Sequence, residues 1–130
     1  MLGLVKNLGV SNFDIDQVDY ILKNCRIKPI NNQIEFHPYL DQSEILTHHK
    51  SHDISVTSFM TLGRGDRTKN AQGVNLFNND VIKQISENHK VSTPQVLLRY
   101  MLQRGVLVVP KRTVVNNFKN FKLLKILNYF

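Results

Sequence analysis

The chain has 130 residues, 42% of them hydrophobic and 21% charged, with a formal charge of +7 from 17 Lys and Arg against 10 Asp and Glu. That length allows one domain with a core, taken here as residues 1–130, and the composition is that of an ordinary soluble protein. The single cysteine, Cys25, excludes an intrachain disulfide, no apolar run is long enough to span a membrane, and Met1 to Val10 lacks the apolar core and cleavage site of a secretory signal, so the expected location is the cytoplasm.

Two textures alternate along the chain. Leu8-Gly9-Val10 is short and apolar and ends at Ser11-Asn12. Asp14 to Asn24 follows with Ile15, Val18, Ile21 and Leu22 at helical spacing, and Asp14 is the expected N-cap. Cys25, just after this helix, is expected to be packed. Asn31 to Phe36 reads as a strand broken by His37-Pro38. Ser43 to Lys50 reads as a helix with Ser43 as its cap, and Ile54 to Phe59 is β-rich. Thr61 to Gly73 is a Gly-rich, charged loop. Asn79 to Asn88 carries Val81, Ile82 and Ile85 on one helical face, and Thr93-Pro94 opens another helix with Pro at its first position. That helix stops before Gly105. Val106 to Val109 is a buried-type strand ending at Pro110-Lys111, and the remainder from about Val115 reads as helical.

Strand and helix in repetition argue for an α/β fold with a parallel sheet, about four βα units by periodicity. The strands are expected near residues 7–10, 31–36, 54–59 and 106–109. The first lies only a few residues from Met1, and the chain ends in Leu-Asn-Tyr-Phe without a cap. Both features suggest a piece of something larger. The positive charge allows a nucleic-acid reading, because Lys and Arg neutralise phosphates. The cations form no long block, however, and no nucleic-acid motif accompanies them, so a solvated surface or a field that favours a polyanionic cofactor is the preferred account.

Five motifs carry a more specific message. Gly9-Val10-Ser11-Asn12-Phe13 resembles the GVSNF signature of aldo-keto reductases. Asn32-Gln33-Ile34-Glu35-Phe36-His37-Pro38-Tyr39 resembles that family's NQxExHPY signature. Phe59-Met60-Thr61-Leu62-Gly63 stands where the family has an aromatic residue followed by S-P-L-G. Thr93-Pro94-Gln95-Val96-Leu97-Leu98-Arg99-Tyr100 resembles TPAQVLLRW with one residue missing after the proline. Gln103-Arg104-Gly105 to Pro110-Lys111 resembles the end of the last barrel strand. The resemblance covers nearly the whole chain, and its Phe-Met-Thr-Leu-Gly variant is similar to the diketogluconate (methylglyoxal) reductase branch.

This resemblance implies the C-terminal half of a (β/α)8 TIM barrel, with the site at the C-terminal ends of the strands. It implies NADP (NADPH) as cofactor and hydride transfer to a small-molecule carbonyl substrate, an aldehyde, ketone or keto-sugar acid. Ser11, Asn12 and Gln33 would hold the nicotinamide carboxamide, which needs donors and acceptors together. From spacing alone, Ser11-Asn12 reads rather as a helix cap, and the surrounding motif reverses that preference. Phe59 would stack on the nicotinamide ring, or else is an ordinary core aromatic. Leu62 and Gly63 open the loop over the pyrophosphate, where Gly63 and Gly65 permit close backbone approach. Lys111 and Arg112 would contact the adenosine 2′-phosphate, or else form a solvated strand end. Asn117 stands where the family has a further phosphate-binding Arg, which puts that contact in doubt.

The family's catalytic Asp, Tyr, Lys and His lie on strands before the matched region, so no catalytic residue is assigned here. His37 is read as structural. His48, His49 and His52 are read as a surface helix end, and adjacent His48 and His49 as a poor metal site. No metal, nucleic acid or membrane partner is assigned. The leading expectation is a truncated reductase, inactive alone. The second is a half-barrel that assembles with a complementary N-terminal half or with itself, as a completed site or as a nucleotide-binding or structural module. In either reading the isolated chain exposes two strand edges and an apolar wall, with Ile34, Phe36, Val56, Val106 and Val108 the kinds of side chain left uncovered, depending on strand register.

Overall fold

Among the described residues, four strands form where the sequence alternates or runs apolar. A computed structural model describes residues 3–64 and 68–110, so the expected C-terminal helix from about Val115 lies outside the described residues. β1 (Gly9–Ser11), β2 (Asn31–Glu35), β3 (Ser55–Phe59) and β4 (Leu107–Val108) make one sheet in the order β1-β2-β3-β4. Every neighbouring pair is parallel. Parallel neighbours require crossover connections, and helices provide them. α1 (Ile15–Asn24) joins β1 to β2, and α2 (Ser43–Ser51) joins β2 to β3. A short 3-10 turn at Leu76–Asn78, α3 (Asp80–His89) and α4 (Thr93–Gln103) join β3 to β4. This is the α/β, parallel, helix-linked arrangement expected from the sequence. No helix among the described residues is long and apolar enough to cross a membrane.

Side chains at the helix starts explain most of the boundaries. Asp14 accepts from the Gln17 backbone N–H at 2.8 Å, and Gln17 Oε1 accepts from the Asp14 N–H at 3.0 Å, a reciprocal capping box. Asn79 Oδ1 accepts from the N–H groups of Val81 (3.0 Å) and Ile82 (3.3 Å), so Asn79 caps α3 rather than opening it. At α4, Ser92 N–H donates to Gln95 Oε1 at 2.8 Å, and Thr93 is the first helical residue, which moves Pro94 to the second position.

The expected Ser43 cap is not made. Ser43 is the first residue of α2, and Gln42 occupies the N-cap position without a side-chain cap bond. The Ser43 hydroxyl donates instead to both oxygens of Asp41, at 2.7 and 2.8 Å. A carboxylate is a stronger acceptor than a neutral group, and Arg104 holds this one in place at 3.1 Å. The same guanidinium donates to the Tyr100 hydroxyl at 2.8 Å and lies 4.8 Å from the Phe36 ring centroid. It thereby ties the end of α4 to the start of α2.

Two apolar clusters hold the layers together. Ile34, Phe36, Val56, Met101 and Val106 pack with Ile45, Leu46, Tyr100 and Val108 between the sheet and the helices. Leu76, Ile82, Val96 and Leu97 form a second cluster with Tyr39, Leu62, Phe77, Ile85 and Val91. Val81 does not join it; it stands largely exposed. Cys25 is also exposed rather than packed; it is the C-cap that follows α1, and its backbone is extended there (φ −86°, ψ 146°) rather than helical.

The expectation of an uncovered apolar wall is corrected by this packing. Ile34, Phe36, Val56 and Val106 are each at most 3% exposed, because their parity directs them to the helices. The opposite face presents Ser11, Asn31, Gln33, Glu35, Ser55, Thr57 and Phe59, paired across the strands in register. Alternation along a strand reveals which side chains share a face, and the apolar set belongs to the face the helices cover.

The Asp41 cluster has an acid signature. The Ser43 hydroxyl, and after it Arg104, holds the Asp41 carboxyl below its ordinary value of 3.8. The folded chain therefore gives up this proton more readily than the unfolded chain. The resulting stabilisation is present above the unfolded value and is lost as pH falls through the lower folded one. Asp41 is mostly solvent-exposed, so the effect is small. Ser43→Ala should show a stability deficit in urea melts that is larger near neutral pH than near pH ~2.5, below the ordinary Asp value. A deficit independent of pH would mean that the hydroxyl does not act through Asp41.

Candidate functional site

The carboxyl ends of β1, β2 and β3 bring together the side chains that the sequence singles out. Register places Ser11 beside Gln33, Gln33 beside Thr57, and Glu35 beside Phe59. Gln33 and Phe59 thus lie on the same open face of adjacent strands, one step apart along the chain direction. Neighbouring strands are about 4.8 Å apart, so these side chains can touch one small ring system together. Towards the amino ends, the Asn31 amide donates to Ser55 Oγ at 2.9 Å and Thr57 Oγ1 at 2.8 Å, giving the open face a polar floor.

The backbone fixes the Ser11-Asn12 corner. Ser11 Oγ donates to the Gln33 carbonyl at 2.8 Å, and the Asn12 N–H donates to the same oxygen at 3.0 Å. Asn12 has φ of 57°, in the left-handed region that Asn tolerates better than most residues. Asp14 caps α1, so the alternative reading of Ser11-Asn12 as the helix cap is not the one adopted. Among the described residues, the side-chain amides of Asn12 and Gln33 make no hydrogen bond. Two amides and a hydroxyl with spare lone pairs stand at one strand end. They offer the mixed donors and acceptors that a carboxamide requires.

Phe59 ends β3 half-buried on the open face, so it is not an ordinary core aromatic. The chain then turns sharply. Met60 has φ of 51° and Gly63 has φ of 72°, and the Gly63 N–H donates to the Met60 carbonyl at 2.7 Å. Leu62 packs against the second apolar cluster and anchors the loop to α3 and α4. Thr61 and Ser58 share a buried hydroxyl contact at 2.6 Å beneath the turn. Gly65, Lys111, Arg112 and Asn117 lie outside the described residues.

Two arrangements exceed the sequence reading. Glu35 meets His37 Nε2 at 3.3 Å and Arg64 at 3.6 Å, which places a polar cluster with one ion pair at the end of β2. His37 is almost fully buried, as a structural histidine should be, although its Nδ1 has no partner among the described residues. Arg64 belongs to the Gly-rich loop, and nothing in its spacing announced Glu35. The second arrangement lies behind the sheet. Asn32 is fully buried and its amide donates to the Phe13 carbonyl at 2.8 Å and lies 2.9 Å from His49 Nε2. His49 is therefore buried and not part of a surface helix end. Burial, and after it the neighbouring His48, pushes its pKa below the usual 6.5.

Comparison with known proteins gives a consistent picture. The model of the aldo/keto reductase family matches residues 1–125. The chain is 45% identical over 115 residues to the NADPH-dependent aldose reductase GRE3 of Saccharomyces cerevisiae, covering 84% of this chain and 35% of that protein. It is 38% identical over 109 residues to glyoxal reductase of Bacillus subtilis, covering 84% of this chain and 36% of the relative. Among solved structures it resembles Gox0644 in its apo form, with a TM-score of 0.73 and 33% identity over 83% of this chain and 36% of the other. The chain thus spans little more than a third of the length of these relatives.

The turn that carries Leu62 and Gly63 supplies a direct test of its own geometry. A Cβ on Gly63 would lie 3.0 Å from Thr68 Cβ and 3.1 Å from Leu76 Cδ1, whereas one on Gly105, also at positive φ, would meet nothing within 4 Å. Positive φ alone costs an alanine about 1–2 kcal/mol. Gly63→Ala should therefore destabilise clearly more than Gly105→Ala in thermal melts. Equal losses would show that the packing around Gly63 is looser than described.

Proposed function

The chain belongs to the aldo/keto reductase family, and on that premise we propose that it forms the cofactor-facing side of an NADP(H) site in an enzyme that reduces small aldehydes or ketones. The observation that carries this reading is the pair of amides, Asn12 and Gln33, without a side-chain hydrogen bond among the described residues, beside the Ser11 hydroxyl and one step from the Phe59 ring. When bound, NADPH supplies the hydride that reduces the carbonyl. Asn12, Gln33 and Ser11 orient its carboxamide and so fix which ring face points into the site. Phe59 would stack on the nicotinamide ring, and needs no hydroxyl to do so. Leu62 and Gly63 bring backbone close to the pyrophosphate. Lys111 and Arg112, just past β4, pair with the 2′-phosphate, and this selects NADP over NAD.

The proton that completes a carbonyl reduction must come from a positioned acid. Among the described tyrosines, Tyr39 accepts a hydrogen bond from Asn79, Tyr100 is held by Arg104, and Tyr20 projects from α1. None stands beside Gln33 and Phe59 on the open face. We therefore infer that residues 3–64 and 68–110 hold the cofactor and that the proton donor is not among their tyrosines. A general acid commonly contributes about 10²–10⁴-fold to rate, so turnover without one would be severely reduced. The Phe59-Met60-Thr61-Leu62-Gly63 turn supports a substrate of the diketogluconate or methylglyoxal class, and a glyoxal reductase stands among the relatives.

Fluorescence titration of the purified chain should show NADPH bound more tightly than NADH, with no detectable reduction of glyoxals. Lys111→Ala should erase the preference, roughly a tenfold change for one charge-assisted contact of about 1.4 kcal/mol. Equal affinities in the parent chain would remove the phosphate assignment. Turnover at the rate of a complete family member would mean that another group donates the proton.

A second reading, assembly, rests on the edges. Among the described residues, β1 pairs only with β2 and β4 only with β3. Exposed apolar side chains gather at both ends, with Leu4, Val5, Leu8, Ile27 and Ile30 near β1, and Leu107 and Val109 at β4. Unpaired edges with apolar borders favour pairing with a complementary half-barrel or a second copy. Light scattering should therefore find the chain larger than a monomer, or bound to such a half. A monodisperse monomer with all four strands protected in hydrogen exchange would exclude this reading.

A further inference from the structure

The outer helical layer holds a group that the cofactor site does not use. His48 and His52 lie four residues apart, so both rings project from the same side of the end of α2. Their centroids are 4.6 Å apart. Asp19 reaches them from α1, with Oδ1 2.9 Å from His48 Nε2. One ligand-type atom from each of the three lies within 4.8 Å of the other two. We propose that Asp19, His48 and His52 bind a divalent transition-metal ion of the zinc class and thereby clamp α1 to α2.

The chemistry of the set fits such an ion. Two imidazoles and one carboxylate are borderline donors, which suit Zn²⁺, Co²⁺, Ni²⁺ or Cu²⁺ rather than Ca²⁺ or Mg²⁺. Tetrahedral coordination at about 2.0–2.1 Å places donor atoms about 3.3 Å apart. The present spacing of 2.9 Å between His48 Nε2 and Asp19 Oδ1 must open slightly, and the widest spacing of up to 4.8 Å must close. Rotation of partly exposed side chains accomplishes both. Three protein donors leave a fourth position for water.

A second observation supports the assignment. A metal-binding imidazole characteristically donates its other N–H to a carbonyl, which fixes the tautomer and aims the lone pair. His52 Nδ1 lies 3.0 Å from the His48 carbonyl oxygen, so it carries the proton and leaves Nε2 free to coordinate. Lys28 also donates to the His52 carbonyl, which holds that residue in place after α2. At His48, Nε2 is the atom that faces Asp19, and the metal takes the place of the proton now shared between them. The clamp stands on the side of the sheet opposite to Gln33. It reaches the strand layer through His49, the residue between the two ligands, which pairs with Asn32.

The test uses the full chain stripped with a chelator and then titrated with CoCl₂ or ZnCl₂ alone. Co²⁺ should bind at one equivalent with the intense visible bands of a four-coordinate ion, and Zn²⁺ should displace it and raise the melting temperature. His52→Ala should weaken binding by about tenfold or more, on the scale known for groups that orient or supply metal ligands. Asp19→Asn keeps the shape and the hydrogen-bonding reach of the residue, so it remains folded if His52→Ala does not, and it should weaken binding to a similar degree. His89→Ala, outside the cluster, should leave the titration unchanged. Retention of full affinity in Asp19→Asn, a Co²⁺ spectrum that stays that of the hydrated ion, or equal loss in His89→Ala would each overturn the proposal.

Discussion

The two-residue period of β2 governs the rest of the molecule. Asn32 points to the helices and Gln33 to the open face, and a slip of one residue would exchange them. The slip is opposed by the burial of Asn32. Its amide is fully enclosed and satisfied by the Phe13 carbonyl and His49, so moving it would strand three polar groups in a dry layer. Each group left without a partner costs about 1–3 kcal/mol. One buried amide thus secures the turn after β1, the packing of α2 and the exposure of Gln33. Site and scaffold are set by the same pairing, on opposite sides of one strand.

Much of this architecture is legible in the sequence, because punctuation and period are local. Asp14 announces α1, His37-Pro38 closes β2, and Gly105 ends α4. The side on which the apolar residues of a strand lie is not local. Ile34, Phe36, Val56 and Val106 were expected on the uncovered wall, yet the helices take them, because the driest face of a strand is the one another layer covers. The polar set that remains, from Ser11 to Thr57, is what a solvent-filled or ligand-filled face requires.

The same distinction divides the candidate site. Ser11, Asn12, Gln33, Phe59, Leu62 and Gly63 could be named from motifs, and the strands bring them to one end of the sheet. Arg64 and its Glu35 contact could not, because the loop that carries Arg64 has no period to read. His49 was misjudged for a related reason. Its neighbours His48 and His52 suggested a wet helix end, and only a partner from β2 makes the interior tolerable for an imidazole. The i, i+4 spacing of His48 and His52 was visible in the chain, whereas Asp19 belongs to another helix and meets them only in the fold.

The strand order β1-β2-β3-β4 repeats the order of the sequence. A ribosome therefore delivers each strand when its neighbour already exists, and no strand has to be inserted later between two others. Domains form from the amino terminus as synthesis proceeds at about 5–20 residues per second, far more slowly than loop closure or helix formation. β1 and β2 can pair while β3 is still in the exit tunnel. The longest pause falls before β4, which must wait for α3 and α4. Until α4 is complete, Phe36 lacks the cover that Arg104 and Met101 give it in the finished fold.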